Sequence, residues 1–561
     1  MALQYPSSLI DMHTHMFNAD YLPLRGIFWS RGVPDPLNGW LARLSWALTK
    51  TSKFPNLVLT PLELGHHKDF ALDAHEISDE RHAHNLEMLD EYIEVLADNG
   101  SKLYLHSQLD MSAAEIKMKA ARGPDSLSME LENLFSEIHK EFGDTDSAKD
   151  LHLEMDVGNK FHAESLSGET KAWAWGWGAG LRRMLRRFLK KAMKFVEKAV
   201  DLIDFVWNMT KREKDLLTRL QNYYATRNIP FILVHYMMDM QFPYQAARDK
   251  VKDGAVKVDF YRDRQNTPSQ LSQMKDLAEH SQGTLLGFSA FDPVRFLKSG
   301  SSVMDIKAHL DKAIESDMLG FKFYPPLGFK AAENNIPGMD YVVDVFLDYC
   351  VEHDLPVFTH CTPEGFEVSP DSESGLNAHP KYWRAALEKN EARRNLRLCL
   401  GHAGGGKYEL KSGYVSHGWI ASDSEQWEHE DNFAKHVVDL CREFPNVYCE
   451  FANIDTILDQ SSHRENLQKN LIARLSDEAG VGTYSLRRKI MYGTDWHMVG
   501  MVNDVIRYFD ELVGIFNSPG LIDMMPAFFR DNAIEFLNRG RLITEVENNF
   551  PVNFQALGDI T

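Results

Sequence analysis

Leu9-Ile10-Asp11-Met12-His13-Thr14-His15 is an apolar run that ends in two histidines separated by one residue. Because side chains alternate between the two faces of a β-strand, the rings of His13 and His15 point the same way if this segment is a strand. Neutral imidazole is a common zinc ligand, and two imidazoles on one strand end supply half of a tetrahedral ligand set. The stretch therefore predicts a strand that carries part of a metal site, with the other ligands contributed by distant parts of the chain.

The composition is that of a large globular protein with reduced cysteines. A chain of 561 residues, 44% of them hydrophobic, can form one large α/β domain with insertions or several smaller domains. The net charge of -20 gives no overall field that would attract nucleic acid. The five cysteines lack Cys-x-x-Cys spacing, the N-terminus lacks a signal-peptide pattern, and no apolar run reaches the roughly 20 residues that span a bilayer. We therefore expect a cytoplasmic protein that does not bind nucleic acid.

Short apolar runs alternate with helical patterns from residue 229 onward. Seven runs follow the opening one, at 231–235, 284–291, 320–324, 356–360, 396–402, 446–451 and 490–495. Helical patterns between them include 303–317, 340–353, 381–390 and 431–443. This order is typical of a parallel sheet, and eight units predict a closed (β/α)8 TIM-type barrel of the α/β class. No glycine-rich dinucleotide fingerprint follows any of these runs, which argues against an open nucleotide-binding sheet.

A long segment separates the first predicted strand from the second. Residues 17–220 are too many for a simple connection, so we predict a mainly helical insertion after strand 1, a barrel over 1–16 and 221–540, and a C-terminal tail over 541–561. Within the insertion, residues 171–208 combine an apolar stripe at helical spacing with a row of Arg and Lys residues. We interpret this segment as a helix packed on the main domain or on a second subunit of a homo-oligomer. Contact with a membrane surface is the alternative interpretation.

Residues that could bind a metal or move a proton stand in or at the ends of five predicted strands. These residues are His13 and His15 in the first strand, Lys322 in the fourth, His360 in the fifth, His402 in the sixth and Asp495 in the eighth. The C-terminal ends of all strands of a (β/α)8 barrel meet at one rim, where the active site is built. We therefore predict that these residues form one site that binds a divalent cation.

This ordered set of residues resembles the amidohydrolase superfamily, whose members are metal-dependent hydrolases with a (β/α)8 barrel. The sequences at 320–328, 379–383, 398–405, 492–496 and 531–537 are similar to the amidohydrolase-related branch (amidohydrolase 2), which also contains decarboxylases. The resemblance covers residues 7–15 and roughly 229–540, and it does not cover the long insertion.

The resemblance implies a ligand set and a reaction. His13, His15, His360 and Asp495 would bind the metal, with zinc as the first candidate and one or two ions, and His402 would join them in a binuclear centre. Metal-activated water would attack an amide, lactone or related bond of a small molecule. Asp495 would accept the proton of the water and return it to the leaving group, while His402 would orient or polarise the carbonyl. The alternative activity is nonhydrolytic decarboxylation of a carboxylic acid, and a noncatalytic scaffold is the third hypothesis.

Lys322 has three interpretations. A protonated lysine cannot bind a cation, so Lys322 would bridge two metals only after carboxylation by CO2, as in binuclear members of the superfamily. As a free ammonium it would pair with a substrate carboxylate, and in the third interpretation it faces solvent. Strand alternation places Gly320, Lys322 and Tyr324 toward the barrel interior and Phe321 and Phe323 toward the helices.

Other residues near the predicted strand ends are candidates for substrate contacts. Tyr324, Arg295 and Trp496 complete the predicted substrate-binding set with Lys322. His235, Glu450 and His497 also stand at or just after predicted strand ends, and we prefer to interpret each as a structural, hydrogen-bonded or capping group over a substrate contact. Cys361 should point away from the site because it follows His360 directly.

Overall fold

The computed structural model describes residues 3–30, 211–243, 258–264, 267–281, 283–299, 302–369, 372–476, 484–498, 501, 504–538 and 540, with 38, 39, 42, 45, 205, 208 and 209 as single residues. The chain divides into two compact units, residues 1–32 with 213–561 and residues 33–212, and the first is described below. Most of the predicted insertion 17–220, nearly all of 171–208 and the tail 541–561 lie outside the described residues. None of the described helices combines the length and apolar character that crossing a membrane requires.

Eight parallel strands form the central sheet. They are β1 Leu9–Thr14, β2 Phe231–Tyr236, β3 Leu285–Phe291, β4 Gly320–Phe323, β5 Val357–His360, β6 Leu398–Gly401, β9 Val447–Phe451 and β10 Ile490–Tyr492, paired in the order of the chain. A small antiparallel hairpin, β7 Tyr408–Glu409 with β8 Val415–Ser416, lies in the connection between β6 and β9. Nearly all residues of the barrel strands are buried, as expected for a parallel sheet covered on both faces. The predicted eight-stranded barrel is confirmed.

Helices connect the strands. They are α1 Leu24–Ser30, α2 Glu213–Ala225, α3 Gln270–His280, α4 Pro293–Ser299, α5 Val303–Glu315, α6 Met339–Glu352, α7 Pro380–Glu388, α8 Ser424–Glu428, α9 Phe433–Glu443, α10 Thr456–Asp459, α11 Ser461–Ser476, α12 Val505–Phe516 and α13 Asn532–Phe536. Short 3-10 helices cover Pro325–Leu327, Ser374–Ala378, Ala392–Asn395, His402–Gly404, Gly418–Ile420, Leu486–Arg488 and Ile522–Met524, and a π-helical turn covers Ala527–Asp531. Phe321 and Phe323 contact Phe346 of α6, which confirms their predicted outward orientation.

Alternate strand residues fill the interior of the barrel. One buried cluster contains Ile10, Met12, Ile232, Val234, Tyr236, Leu286, Phe288, Leu319, Phe358, Cys399, Tyr448, Met491, Ala533, Ile534, Phe536 and Leu537. The last four belong to α13 and the residue after it. The backbone carbonyl of Glu535 in this helix accepts a hydrogen bond from Arg397, just before β6 begins. The end of the barrel where the strands begin is therefore packed against α13, and active sites of such barrels lie at the other end.

A change of register in β1 turns both histidines inward. Ile10 and Met12 belong to the interior cluster, so strict alternation would turn His13 and His15 outward. The pairing of β1 with β2 shifts between Asp11 and Thr14, as at a β-bulge. The ring of His13 consequently lies 5.3 Å from that of Tyr236 and 4.7 Å from that of Phe358, inside the barrel.

The barrel closes where β1 meets β10 and the residues that follow it, and we call residues 9–15 with 490–496 the seam. Across the seam, the backbone N–H of Asp495 donates to the carbonyl of His13 at 2.7 Å, and that of His15 donates to the carbonyl of Trp496 at 2.5 Å. The backbone pairing is otherwise limited to one isolated bridge between Thr14 and Trp496. The seam therefore depends on side chains as well as on the backbone.

The carboxylate of Asp11 supplies the missing hydrogen bonds of the seam. Its Oδ1 accepts the backbone N–H groups of His13 at 3.1 Å and Thr494 at 3.0 Å. Its Oδ2 accepts the hydroxyl groups of Thr494 at 2.7 Å and Tyr224 at 2.8 Å. Asp11 is completely buried, and these four donors offset part of the loss of water around its charge. One side chain thus holds together the strand that carries His13 and the segment that carries Asp495.

Candidate metal centre

His13, His15 and Asp495 form a compact group at the seam. The Nε2 atoms of His13 and His15 lie 3.2 Å and 3.1 Å from the same carboxylate oxygen, Oδ1 of Asp495. All three side chains are buried, with at most 5% of each residue exposed. Together they form a group whose donor atoms are close enough to hold one metal ion. These are ligand types that zinc prefers.

Hydrogen bonds on the far side of each ring fix which nitrogen carries the proton. Nδ1 of His15 lies 2.9 Å from the backbone carbonyl of Tyr236, and a carbonyl can only accept, so Nδ1 is protonated and Nε2 keeps its lone pair. Nδ1 of His13 lies 3.2 Å from Oε2 of Glu450. A proton on Nδ1 of His13 leaves its Nε2 unprotonated as well. Both lone pairs then face the oxygen of Asp495.

His360 and His402 form a second group, next to the first. Nδ1 of His360 lies 3.1 Å from Nε2 of His402. The other nitrogen of each ring faces a backbone carbonyl, that of Glu364 at 2.5 Å for His360 and that of Ala452 at 3.2 Å for His402. Two lone pairs therefore face each other unless a proton or a cation lies between them. The His402 ring centre is 4.9 Å from that of His13, which joins the two groups.

Lys322 lies between these groups and the aromatic core. Its Nζ is 3.3 Å from Nε2 of His13 and 4.3 Å from the ring centre of Phe358, and it also lies over the rings of Tyr236 and Tyr324. The side chain is 1% exposed, so the interpretation in which it faces solvent is wrong. Burial lowers the pKa of Lys322 to about 8. Both the free amine and the ammonium are therefore accessible near neutral pH.

Burial controls the charge of the histidines and of the aspartate. It lowers the pKa of His15 to about 3 and that of His402 to about 4, and it lowers the pKa of His13 and His360 well below the ordinary value. The positive charge of Lys322 acts in the same direction on all four. Burial raises the pKa of Asp495 to about 6, while His402 and Lys322 oppose that rise. The rings are therefore neutral at pH 7, as metal ligands must be.

The second oxygen of Asp495 is held apart from the histidines. Its Oδ2 accepts a hydrogen bond from Nδ2 of Asn453 at 3.0 Å. The backbone of Asp495 has a φ of 64°, and that of His402 has a φ of 63°, a left-handed conformation that costs energy in residues other than glycine. Such strain is typical of active sites, where surrounding contacts hold a side chain in a required position.

The donor set at the seam fits a divalent cation. Ligand atoms bound about 2.1 Å from one tetrahedral ion lie about 3.4 Å from one another, close to the 3.1 Å and 3.2 Å that separate Oδ1 of Asp495 from the two Nε2 atoms. A single proton on Oδ1 could bridge only one of these two contacts. A cation satisfies both lone pairs and the carboxylate oxygen at once, so the residues present fit the group that the sequence implies.

The predicted substrate-binding residues lie at different distances from this centre. The ring centre of Tyr324 is 4.8 Å from that of His360, and its hydroxyl accepts the backbone N–H of Phe366. Arg295 instead forms a two-pronged ion pair with Asp239, at 2.7 Å and 2.9 Å. Trp496 is completely buried beside His497, and its backbone carbonyl is part of the seam.

Several residues around the site were not predicted from the sequence. Asn453 and Thr362 gave no signal beyond being polar residues that follow a strand, and Thr362 places its hydroxyl 2.9 Å from Nε2 of His360. Asp11 did carry a signal, because an acidic residue inside an apolar run must find hydrogen-bond donors when it is buried. His235 accepts the backbone N–H of Met16 at Nδ1, and Cys361 is buried near Cys441.

The fold is a (β/α)8 barrel, and its candidate site is a buried group of histidine and aspartate side chains at the ends of the strands. Residues 285–539 match the family model described as Amidohydrolase. This match confirms the resemblance recognised in the sequence motifs. No curated protein matches the sequence.

Solved structures that match this chain do so at low identity and low TM-score. An amidohydrolase from Burkholderia multivorans, solved with bound zinc, is 12% identical with a TM-score of 0.33, and the match covers 57% of this chain and 88% of that one. The 2,6-dihydroxybenzoate decarboxylase from Rhizobium is 11% identical with a TM-score of 0.31, covering 58% and 88% of the two chains.

Proposed function

We propose that the protein is a metal-dependent hydrolase that opens an amide, lactone or related bond of a small molecule. The observation that carries this proposal is the convergence of two imidazole nitrogens, His13 Nε2 and His15 Nε2, on one oxygen of Asp495. His13, His15 and Asp495 would hold the cation, and zinc suits this donor set. His360 and His402 are available to a second ion. A divalent cation bound there lowers the pKa of water and polarises a carbonyl.

Asp495 has the geometry of a proton carrier. Its Oδ1 faces the two histidines, whereas Oδ2 faces Asn453 and keeps lone pairs outside the ligand group. Oδ2 would accept a proton from the attacking water and return it to the leaving group. Burial, which raises the pKa of Asp495, makes it a stronger base than an exposed aspartate.

His402 would act on the substrate carbonyl. Its Nδ1 donates to the carbonyl of Ala452, which fixes the ring, and its Nε2 faces Nδ1 of His360. In the neutral ring Nε2 has no proton, so it would donate to a substrate oxygen only after His402 takes up a proton and becomes an imidazolium. His402 would in this way hold the carbonyl beside the cation while the bond breaks.

The hydrolase proposal is tested with the full-length chain supplied with Zn2+ or Mn2+. We expect the purified protein to retain at least about one ion per chain and to hydrolyse a member of a lactone, amide and ester panel. Chelation should abolish the hydrolysis, and added metal should restore it. Metal below about a tenth of an ion per chain after supplementation, with a melting temperature insensitive to chelation, would contradict the proposal.

A decarboxylase is the second candidate, and the position of Lys322 favours it. No carboxylate of the described residues forms an ion pair with this buried amine, although it lies 3.3 Å from the metal ligand His13. As an ammonium, Lys322 would pair with the carboxylate of an acidic substrate. After carboxylation, Lys322 would instead bridge two ions and favour the hydrolase. Release of CO2 from a panel of aromatic acids, without hydrolysis of the ester and amide panel, would favour the decarboxylase.

A further inference from the structure

Glu450 is a completely buried acid in the wall of the barrel. It lies in β9, and one of its oxygens, Oε2, serves two neighbours. Oε2 lies 3.2 Å from Nδ1 of His13 and accepts the backbone N–H of His402 at 3.1 Å. One oxygen therefore connects the seam to the residue that follows β6.

The contact with His402 limits the role of Oε2. A backbone N–H can only donate, so Oε2 accepts in this contact, as an ionised carboxylate does or as a carboxyl group with its proton on Oε1 does. In both of these forms Oε2 has no proton, and its remaining contact, with Nδ1 of His13, is a donation from the ring. This places the proton of His13 on Nδ1 and leaves the lone pair of Nε2 directed at Asp495.

The wall around Glu450 leaves its carboxyl group little freedom. A Cβ atom at Gly493 would lie 2.1 Å from Oε1 of Glu450, so the glycine of the seam makes room for this oxygen. Oε1 has no hydrogen-bond partner among the described residues. Burying an acid with one oxygen that lacks a hydrogen-bond partner costs folding free energy, so this arrangement calls for a functional explanation.

We infer that Glu450 is a positioning residue that selects the tautomer of His13 and thereby prepares its Nε2 for the metal. The inference rests on the proposed metal centre for its role, although the tautomer itself is a property of the metal-free protein. Without an acceptor at this position, the proton of His13 can move to Nε2 and donate to Oδ1 of Asp495. That hydrogen bond occupies both atoms and closes the metal site.

Glu450→Leu and Glu450→Gln test this inference. Leucine removes the acceptor, while glutamine keeps one carbonyl oxygen but loses the charge. We expect Zn2+ affinity, measured by competition with a chelating dye, to fall by about 100-fold in Glu450→Leu and by about 10-fold in Glu450→Gln. The matched control is Asp292→Asn, which neutralises another buried carboxylate that follows a barrel strand and binds the backbone N–H of Val294. Zn2+ affinity of this control should stay within about twofold of the original value.

The tautomer is measured separately in the metal-free protein. With 15N-labelled histidine, the resonances of His13 are assigned by their loss in His13→Gln, and their shifts report which nitrogen carries the proton. We expect protonation at Nδ1 in the original chain and in Glu450→Gln, and a shift toward Nε2 in Glu450→Leu. A merely structural glutamate would change stability without moving this signal.

The outcomes separate the two proposals. A His13 that stays protonated at Nδ1 in folded Glu450→Leu overturns the inference, as does an unchanged Zn2+ affinity in either variant. If Glu450→Leu does not fold, the test rests on the Zn2+ affinity of the nearly isosteric Glu450→Gln. An affinity within about twofold of that of the original chain overturns the inference. If the original chain binds no metal, the proposed function fails, while the tautomer measurement still tests the contact between Glu450 and His13.

Discussion

The site has two regions that hold histidines in different ways. One is the seam, and the other is formed by residues 357–364 and 398–404, which we call the β5–β6 rim. At the seam, the carboxyl groups of Asp11 and Glu450 fix the position and tautomer of His13. At the β5–β6 rim, the backbone carbonyls of Glu364 and Ala452 orient His360 and His402. A side chain is removed by one substitution, whereas a backbone carbonyl is not. The seam is therefore the part of the site that single substitutions can disable.

Asp495→Ala should produce the largest effect. It removes the oxygen that both seam histidines face, and we expect Zn2+ affinity to fall by about three orders of magnitude, since each ligand contributes a large share of the binding free energy. His402→Ala should reduce Zn2+ affinity by a smaller factor, because His13, His15 and Asp495 remain. Dye competition measures both, with His353→Ala, an exposed histidine, as the control. Equal losses in Asp495→Ala and His402→Ala would remove the distinction between the two regions.

Asp11→Ala should destabilise the fold itself. The substitution leaves buried donors of His13, Thr494 and Tyr224 without an acceptor, and we expect a loss of about 4 kcal/mol in the free energy of unfolding of the metal-free protein. Urea unfolding measures this loss.

Asp263→Ala is the matched control for Asp11→Ala. Asp263 also accepts a backbone N–H and a hydroxyl hydrogen bond, from Ser269 and Ser272, but it is exposed. We expect Asp263→Ala to lose about 1 kcal/mol in the free energy of unfolding. Similar losses in the two variants would show that burial at the seam adds nothing.

The stability of the seam should also depend on pH. Burial raises the pKa of Asp11 to about 7, so the folded protein binds this proton more tightly than the unfolded chain. Its contribution to stability is present at low pH and is lost as the pH rises toward 7. Relative to Asp11→Asn, the metal-free protein should lose about 2 kcal/mol between pH 5 and pH 7. If the free energy of unfolding of the original protein and of Asp11→Asn changes equally between pH 5 and pH 7, the raised pKa of Asp11 is contradicted.

Thr362→Val should have the smallest effect. The hydroxyl of Thr362 lies 2.9 Å from Nε2 of His360, but the carbonyl of Glu364 accepts from the same nitrogen. Because the backbone acceptor remains, we expect any change in metal affinity or activity to stay below about 10-fold. A larger loss would mean that side chains also control the β5–β6 rim. Thr359→Val, a buried threonine of β5 whose hydroxyl lies near its own strand backbone, serves as the control.

The sequence was sufficient to predict the barrel because each strand is a short apolar run buried on both faces. The ends of such strands must meet at one rim, so the proximity of His13, His15 and Asp495 could be expected from their positions in the chain. The hairpin β7–β8 was missed, since strands of two residues leave no period to detect.

The local geometry of the site could not be predicted by strand alternation. His402 and Asp495 lie just beyond β6 and β10, in turns with positive φ, where the alternation of side chains no longer applies. His13 and His15 face inward because of a register shift, which depends on pairing with β2. Arg295 is neutralised by Asp239, a residue more than fifty positions away that no local pattern connects to it.

The seam also has a consequence for synthesis on the ribosome. Residues 11–15 are made nearly five hundred positions before their partners at residues 494–496. A nascent chain or a product truncated before residue 494 presents two histidines without the aspartate that completes the ligand group. At the proposed metal site, stable loading with an ion would therefore be a late event, restricted to chains whose translation has passed the last barrel strand.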